Sequence, residues 1–343
     1  MSRDSSKVPD RTHRKATLYD VARRAGVSHI TVSRYFRRPE KLADHTAERV
    51  RQAVKELRYV PNAAARSLVS GQTEMVALIV PDITNTFYTR LARGVQDEAR
   101  KQGYTLVLGN TDESLEEQKK HLDTLISHRV LGLLLAPAVG TEKHLSQVID
   151  HNIPVVLIDR EVPGATADLV RCDTREGTRQ LVHHLIDRGH RDIAFVGGDA
   201  EVSSLRDRLS GYRKAMEEAG RPERVHLGRF DRDSGSEIAE HLVAAKAEQF
   251  PDAIVAANNK VLVGVLDVLR RHEITVPSDV AVACIDDIEP AAAIDPFLTV
   301  VNQPAYEMGR RAMELLKSRI DGAHSPPCES VLPSELIIRK SSL

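Results

Sequence analysis

The chain has 343 residues, 41% of them hydrophobic, and a formal net charge of -1, enough for two or three domains with full cores. Three cysteines (Cys172, Cys284, Cys328) fit no metal spacing and no disulfide framework, and no apolar run reaches the roughly 18 residues of a membrane span. The charge is unevenly spread: residues 1–71 hold 16 Lys and Arg against 7 Asp and Glu, and the remainder 32 against 42, the pattern of a phosphate-seeking module joined to an acidic body.

Residues 1–15, with Arg3, Lys7, Arg11, Arg14 and Lys15, read as a disordered basic tail without the apolar core of a signal peptide. A cytoplasmic chain with reduced thiols is therefore expected. From Thr17 the pattern becomes helical. Leu18, Val21, Ala22 and Ala25 recur at i, i+3, i+4 and i+7. Thr17 can cap this helix, with Asp20 at its positive end. Gly26 supplies the left-handed residue a sharp turn needs. Ser28 can then cap a second helix that turns Val32 and Phe36 inward and His29, Ile30, Ser33 and Arg34 outward. Such an exposed set suits the DNA major groove, although an ordinary helical hairpin has the same spacing. A third helix over 44–57, with Val50, Val54 and Leu57 on one face, would close a three-helix core. Pro61 breaks it. The alanine-rich run 62–68, capped by Asn62, is only about two turns long, too short to be stable alone.

From residue 75 the pattern changes. Apolar runs of strand length occupy 76–81, 105–109, 130–136, 155–159, 193–197, 225–230, 253–257 and 280–285. Amphipathic helices fall near 87–102, 114–128, 142–151, 175–188, 204–219, 234–246 and 260–272. Continuous apolar strands separated by helices predict parallel sheets covered on both faces. Two open lobes are favoured over a single eight-fold barrel by the basic head and the interrupted second half. The C-terminal segment 335–343 reads as a final strand with no leucine heptad.

These residues together resemble the lac repressor (LacI/GalR) family of bacterial transcription regulators. The head carries Thr17-Leu18-Tyr19-Asp20-Val21-Ala22, Ala25-Gly26-Val27-Ser28, Thr31-Val32-Ser33-Arg34, and then Tyr59, Pro61, Asn62, Ala65, Arg66 and Leu68. The body carries Pro81-Asp82-Ile83-Thr84-Asn85-Thr86-Phe87, Val155 to Arg160, Gly189-His190-Arg191, Arg208-Leu209-x-Gly211-Tyr212, Ala257-Asn258-Asn259, Ile285-Asp286-Asp287 and Gln303-Pro304. The resemblance implies an all-α helix-turn-helix head and a two-lobed α/β core like periplasmic binding proteins, with parallel doubly wound sheets. The implied division is a tail (1–15), a DNA-binding domain (16–60), a hinge helix and linker (61–73), and an effector-binding and dimerisation core (74–343). Lobe 1 of that core spans about 74–172 and 302–331, and lobe 2 about 173–301 and 332–343.

The resemblance also implies roles. His29, Ile30 and Arg34 would read base edges, Arg34 by a two-bond contact with guanine worth about 1–3 kcal/mol. Thr17, Ser28, Ser33, His45 and Thr46 would meet phosphates, with Leu18 and Thr31 completing the head's DNA set. Asn62, Ala65 and Leu68 would form the minor-groove hinge, Leu68 wedging between base steps. A dimer on a near-palindromic double-stranded operator follows. Asn85, Phe87, Asp159, Arg160, Arg208, Asn258 and Asp286 would hold a small effector, a sugar or sugar acid. The sugar-acid reading rests on fewer carboxylates beside retained arginines, Asn259 replacing the family's usual carboxylate, and the gluconate type on the likeness of Ser33-Arg34-Tyr35-Phe36 with Pro39-Glu40 to regulators of such acids. Thr86 likewise replaces a usual proline, and Cys284 a usual glycine. A purine effector, or a sugar-binding protein without a regulatory role, are the alternatives. The expected mechanism links lobe closure to hinge spacing. No G-x-S-x-G elbow, phosphate loop or dinucleotide fingerprint is present, and His183, His184 and His190 have no metal-spaced partner. No catalytic residue, cofactor, metal or membrane association is expected.

Overall fold

The computed structural model describes residues 16–37, 41–59, 73–245 and 250–343. The basic tail and the whole of the hinge run 62–68, with Asn62, Ala65 and Leu68, lie outside the described residues. The chain divides into two compact units, a head up to Thr73 and a body from Glu74 to Leu343.

The head consists of α1 (Leu18–Ala25), α2 (His29–Arg37) and α3 (Asp44–Glu56). Helix α1 opens with a full capping box. The Thr17 hydroxyl accepts from the Asp20 N–H, and the Asp20 carboxylate accepts from the Thr17 N–H at 2.9 Å, so two orphan donors of the first turn are satisfied. The helix stops at Gly26, left-handed at φ 62°. Arg49 of α3 donates to the carbonyls of Ala25 (2.6 Å) and Gly26 (3.0 Å), tying the turn to the third helix. The Ser28 hydroxyl accepts from the Thr31 N–H at 3.1 Å and starts α2. Val21, Ala22, Ala25, Val32, Val50, Ala53 and Tyr59 fill the core, with Leu18, Phe36, Val54 and Leu57 packed around them. Helix α3 thus turns Val50 and Ala53 fully inward, with the expected Val54 and Leu57 packed against them half-buried.

The body holds two six-stranded sheets. In chain order the first lobe contributes β1 (Met75–Val80), α4 (Thr86–Lys101), β2 (Thr105–Asn110), α5 (Leu115–Ser127), β3 (Gly132–Leu135), α6 (Glu142–Asp150), β4 (Val155–Ile158) and β5 (Asp168–Asp173). The second continues with α7 (Thr174–Asp187), β6 (Ile193–Gly197), α8 (Ser203–Glu218), β7 (Arg224–Leu227), α9 (Arg232–Ala244), β8 (Ala253–Ala256), α10 (Asn259–Arg271), β9 (Ala281–Ile285), α11 (Glu289–Ile294) and β10 (Thr299–Asn302). The chain then crosses back for α12 (Ala305–Ile320) and β11 (Glu329–Pro333), and ends in β12 (Glu335–Ile337). The sheet orders are β11-β5-β4-β3-β1-β2 and β12-β10-β9-β8-β6-β7, the same winding twice. Among the described residues only β12 runs antiparallel to its neighbour. Two open sheets replace the barrel alternative.

Five elements escaped the sequence pattern. β5 alternates buried and half-buried positions (DLVRCD) and so has no apolar run; β10, β11, α11 and α12 also lay outside the assigned runs. Helix α12 packs along α4 at van der Waals limits. A Cβ on Gly94 would lie 2.1 Å from the Tyr306 carbonyl oxygen, and one on Gly309 2.1 Å from that of Leu91, so neither position has room for a side chain. The expected final strand is shorter than 335–343: it ends at Ile337, and Lys340–Ser342 form a 3-10 turn. There Ser341 donates to the Val282 carbonyl at 2.6 Å and accepts from the Thr299 N–H at 2.8 Å, bonds that a continuing strand would forgo.

Candidate functional site

The outer face of α2 is open. His29, Ile30 and Arg34 are exposed, with Ile30 59% accessible, and Arg34 has no side-chain partner among the described residues. Tyr19 of α1, 64% accessible, lies against His29 with ring centroids 5.2 Å apart and the rings tilted by 41°. Sequence reasoning passed over this tyrosine; its signal was an aromatic on the polar side of an amphipathic helix. Thr17, Ser28 and Thr31 are engaged in local caps, so their hydroxyls serve the helix termini first. Leu18 packs on the head core. Ser33 is half-buried, and His45 and Thr46 pair with each other at 3.1 Å at the start of α3.

In the body, the seven residues Asn85, Phe87, Asp159, Arg160, Arg208, Asn258 and Asp286 converge on one cleft between the two sheets. All sit beyond, or on helices that follow, the carboxyl ends of strands, where ligands of open α/β sheets collect. Asn85 and Asn258 cap α4 and α10, accepting from the N–H groups of Phe87 and Val261. Asp159 and Asp286 follow β4 and β9, the same strand in each lobe. Both take left-handed backbone, at φ 65° and 72°, a conformation Asp tolerates better than most residues. The fold adds Asp82, Tyr88, Glu113, Ser204 and Phe230 to the lining. Tyr88 was legible as the neighbour of Phe87. Glu113 and Phe230 carried no local signal.

Two charge clusters organise the cleft. Arg160, 5% exposed, is gripped by Glu113 through two bonds of 2.6 and 2.7 Å and donates to the Pro137 carbonyl. Its Nε has no hydrogen-bond acceptor and stands 3.6 Å from Asp159. Arg208, also buried, donates to the Ala257 carbonyl at 2.7 Å, lies 4.0 Å from Asp159, and leaves its Nε unbonded. Tyr88 donates to Asp159 at 3.0 Å, and burial pushes its phenol well above the ordinary range. Burial pushes the Asp286 carboxyl up to about 6, against the opposing pull of Arg208 and of Gln303, which donates to it at 2.8 Å. Asp82 moves the other way: burial would raise it, but bonds from Thr84 and the nearby Lys260, 3.2 Å away, outweigh burial.

Direct bonds join the lobes across the cleft. Asn259 donates to Asn85 (3.1 Å) and Thr86 (3.0 Å), so two departures from the family pattern meet each other. Ser203 accepts from the Glu161 N–H at 3.0 Å on the opposite side. Arg206 stays half-exposed on Glu161 rather than entering the cleft. The remaining cavity is about 30 Å³, room for two or three waters. The lobes must part for any larger molecule. Burial pushes the Cys172 thiol up to about 12 and Cys284 well above its ordinary range, so both are inert packing groups. Among the described residues there is no cluster able to hold a metal and no helix long and apolar enough to cross a membrane.

A helix-turn-helix head joined to a two-lobed body with a polar cleft defines a DNA-binding regulator of transcription rather than an enzyme. Residues 17–62 match the model of bacterial regulatory proteins of the lacI family, and residues 182–342 match the periplasmic binding protein-like domain. The HTH-type transcriptional repressor PurR of Vibrio parahaemolyticus is 36% identical over 332 residues, 95% of this chain and 98% of the relative. The ribose operon repressor of Escherichia coli is 36% identical over 310 residues, 89% and 93% of the two chains. The lac repressor dimer bound to operator and the anti-inducer ONPF superposes with a TM-score of 0.82 at 25% identity, covering 96% of this chain and all of that one. The chain belongs to the lacI family of bacterial regulatory proteins.

Proposed function

We propose that this regulator represses transcription as a dimer on a near-palindromic operator, and that a small neutral sugar in the interlobe cleft controls it. In the head, Arg34, His29 and Ile30 would read the major groove, and the caps Thr17 and Ser28 with Ser33, His45 and Thr46 would sit along the phosphates. The observation that carries the ligand class is the charge balance of the cleft. Asp82, Glu113, Asp159 and Asp286 stand against Arg160 and Arg208, with Lys260 on Asp82, so carboxylates still outnumber cations. Sugar hydroxyls both donate and accept, so carboxylates, Asn258 and Arg208 can all be used at once. Phe87 and Phe230, from opposite lobes, offer faces to the C–H side of a ring. Asp82 and Glu113 restore carboxylates to a cleft where Asn259 removes one, which favours the neutral sugar over the sugar acid. The likeness to the ribose operon repressor points the same way. A purine is the second reading, favoured by the likeness to PurR and by the two phenylalanines. Repression at the chromosome implies a cytoplasmic, nucleoid-associated protein.

Ligand and DNA are coupled only if the ligand binds one lobe arrangement better than the other, and the coupling is reciprocal. The test is calorimetry of the full chain with D-ribose, D-ribonate and hypoxanthine, followed by an operator mobility shift with whichever binds. Binding of D-ribose with a shift in operator affinity is expected. Hypoxanthine or D-ribonate binding in its place would overturn the neutral-sugar reading.

A further inference from the structure

We propose that Glu113 is the specificity-determining residue that makes this cleft reject anionic ligands, by cancelling the charge of Arg160; the inference rests on the cleft being the ligand site. A buried arginine at the end of β4 is by itself an anion receptor, because its planar fork matches a carboxylate or phosphate with two parallel bonds. Here that fork is already filled. Glu113 meets Nη1 and Nη2 of Arg160 at 2.6 and 2.7 Å, in the geometry an incoming carboxylate would use.

The chain goes to some length to bring Glu113 there. Forty-seven positions separate the two residues along the sequence. Glu113 lies in the short connection between β2 and α5, where Asp112 and Glu113 are both left-handed, at φ 50° and 60°. Consecutive left-handed residues without glycine are unfavourable and persist where surrounding contacts over-determine them. Asn110 donates to the Asp112 carboxylate at 2.7 Å, which holds the first of the two, and the Arg160 fork holds the second. Ser114 then caps α5, so the chain resumes regular structure at once. The Glu113 side chain remains 40% exposed while Arg160 is 6% exposed. The carboxylate therefore plugs the fork at the rim, and the arginine is fixed beneath it. Arg160 is also held by the Pro137 carbonyl, so loss of Glu113 leaves the guanidinium in place with its fork open.

Glu113→Gln keeps the shape of the plug and removes its charge. The probes are D-ribose and D-ribonate, a matched neutral and anionic pair, titrated by calorimetry into the full chain at constant ionic strength. Wild type, Glu113→Gln and Glu113→Gln/Arg160→Met are compared. The expected result is a D-ribonate affinity roughly tenfold or more above wild type in Glu113→Gln, the scale of one unit charge at ~10 Å in a medium of effective dielectric ~20. That gain disappears in the double variant. Glu113→Ala gives the same gain if the glutamine side chain re-forms the plug by hydrogen bonding. Unchanged D-ribonate affinity in both single variants would overturn the proposal, as would a gain that survives loss of Arg160. Indifference of every variant to D-ribose would count against the neutral-sugar reading alone, because the D-ribonate comparison is read between variants.

Discussion

Asp286 offers a test in which stability and binding move in opposite directions. The carboxyl is buried at the end of β9 and takes one bond from Gln303. Burial moves it from an ordinary value of 3.8 to about 6, Arg208 and Gln303 offsetting only part of the effect. A carboxyl raised in the fold carries its charge more easily in the unfolded chain. Its contribution to stability is therefore best below pH 4, declines as pH rises from about 4 to 6, and settles above that at a cost of about 3 kcal/mol. Asp286→Asn keeps the acceptor for Gln303, tolerates the left-handed backbone and removes the charge. Urea denaturation at pH 8 and pH 4 should show the variant more stable than wild type by up to about 3 kcal/mol at pH 8 and nearly equal at pH 4. Calorimetry should show the cleft ligand bound about tenfold more weakly, the scale of one charge-assisted hydrogen bond at ~1.5 kcal/mol. A variant less stable than wild type at pH 8, or equally stabilised at both pH values, would refute the burial argument.

Two further outcomes follow from groups elsewhere. Arg34→Ala should weaken operator binding by about 1–3 kcal/mol and relax preference at one base pair, leaving nonspecific DNA binding nearly unchanged; competition mobility shifts against base-substituted operators measure both. Asp168 is nearly inaccessible and accepts two bonds from Arg319 (2.7 and 2.8 Å) and one from the Cys328 N–H (2.8 Å), joining β5 to the end of α12 and the approach to β11. Burial would raise its carboxyl, but these bonds hold it below the ordinary range. Asp168→Asn should destabilise the body by about 3–5 kcal/mol near neutral pH. The deficit should shrink as pH falls below about 4, where wild type loses the same contribution; thermal unfolding across pH measures it.

Local chemistry was legible in order along the chain. The capping box of Thr17 and Asp20, the Gly26 turn and the Ser28 cap involve residues within four positions of each other, so spacing suffices to find them. The apolar strands of the two sheets were legible because strands buried on both faces read as runs. β5 was not, because its polar residues answer to partners elsewhere, Asp168 to α12, Arg171 to α8 and β11, and Asp173 to the start of α7, rather than to a core on both faces. Residues at strand ends, such as Asp159 and Asp286, came from family likeness; their left-handed turns and their burial came from the fold.

The sequence alone determined that a basic helical head precedes a doubly wound body, because helix and strand periods, caps and charge surplus are properties of short windows. Only the tertiary structure decided what the cleft is. β2 is separated from β4 by β1 and β3, but all four strands run parallel, so their carboxyl ends share one edge of the sheet, and the connection after β2 sets Glu113 into the fork of Arg160. No window of sequence contains both residues, and the charge of the site depends on their meeting.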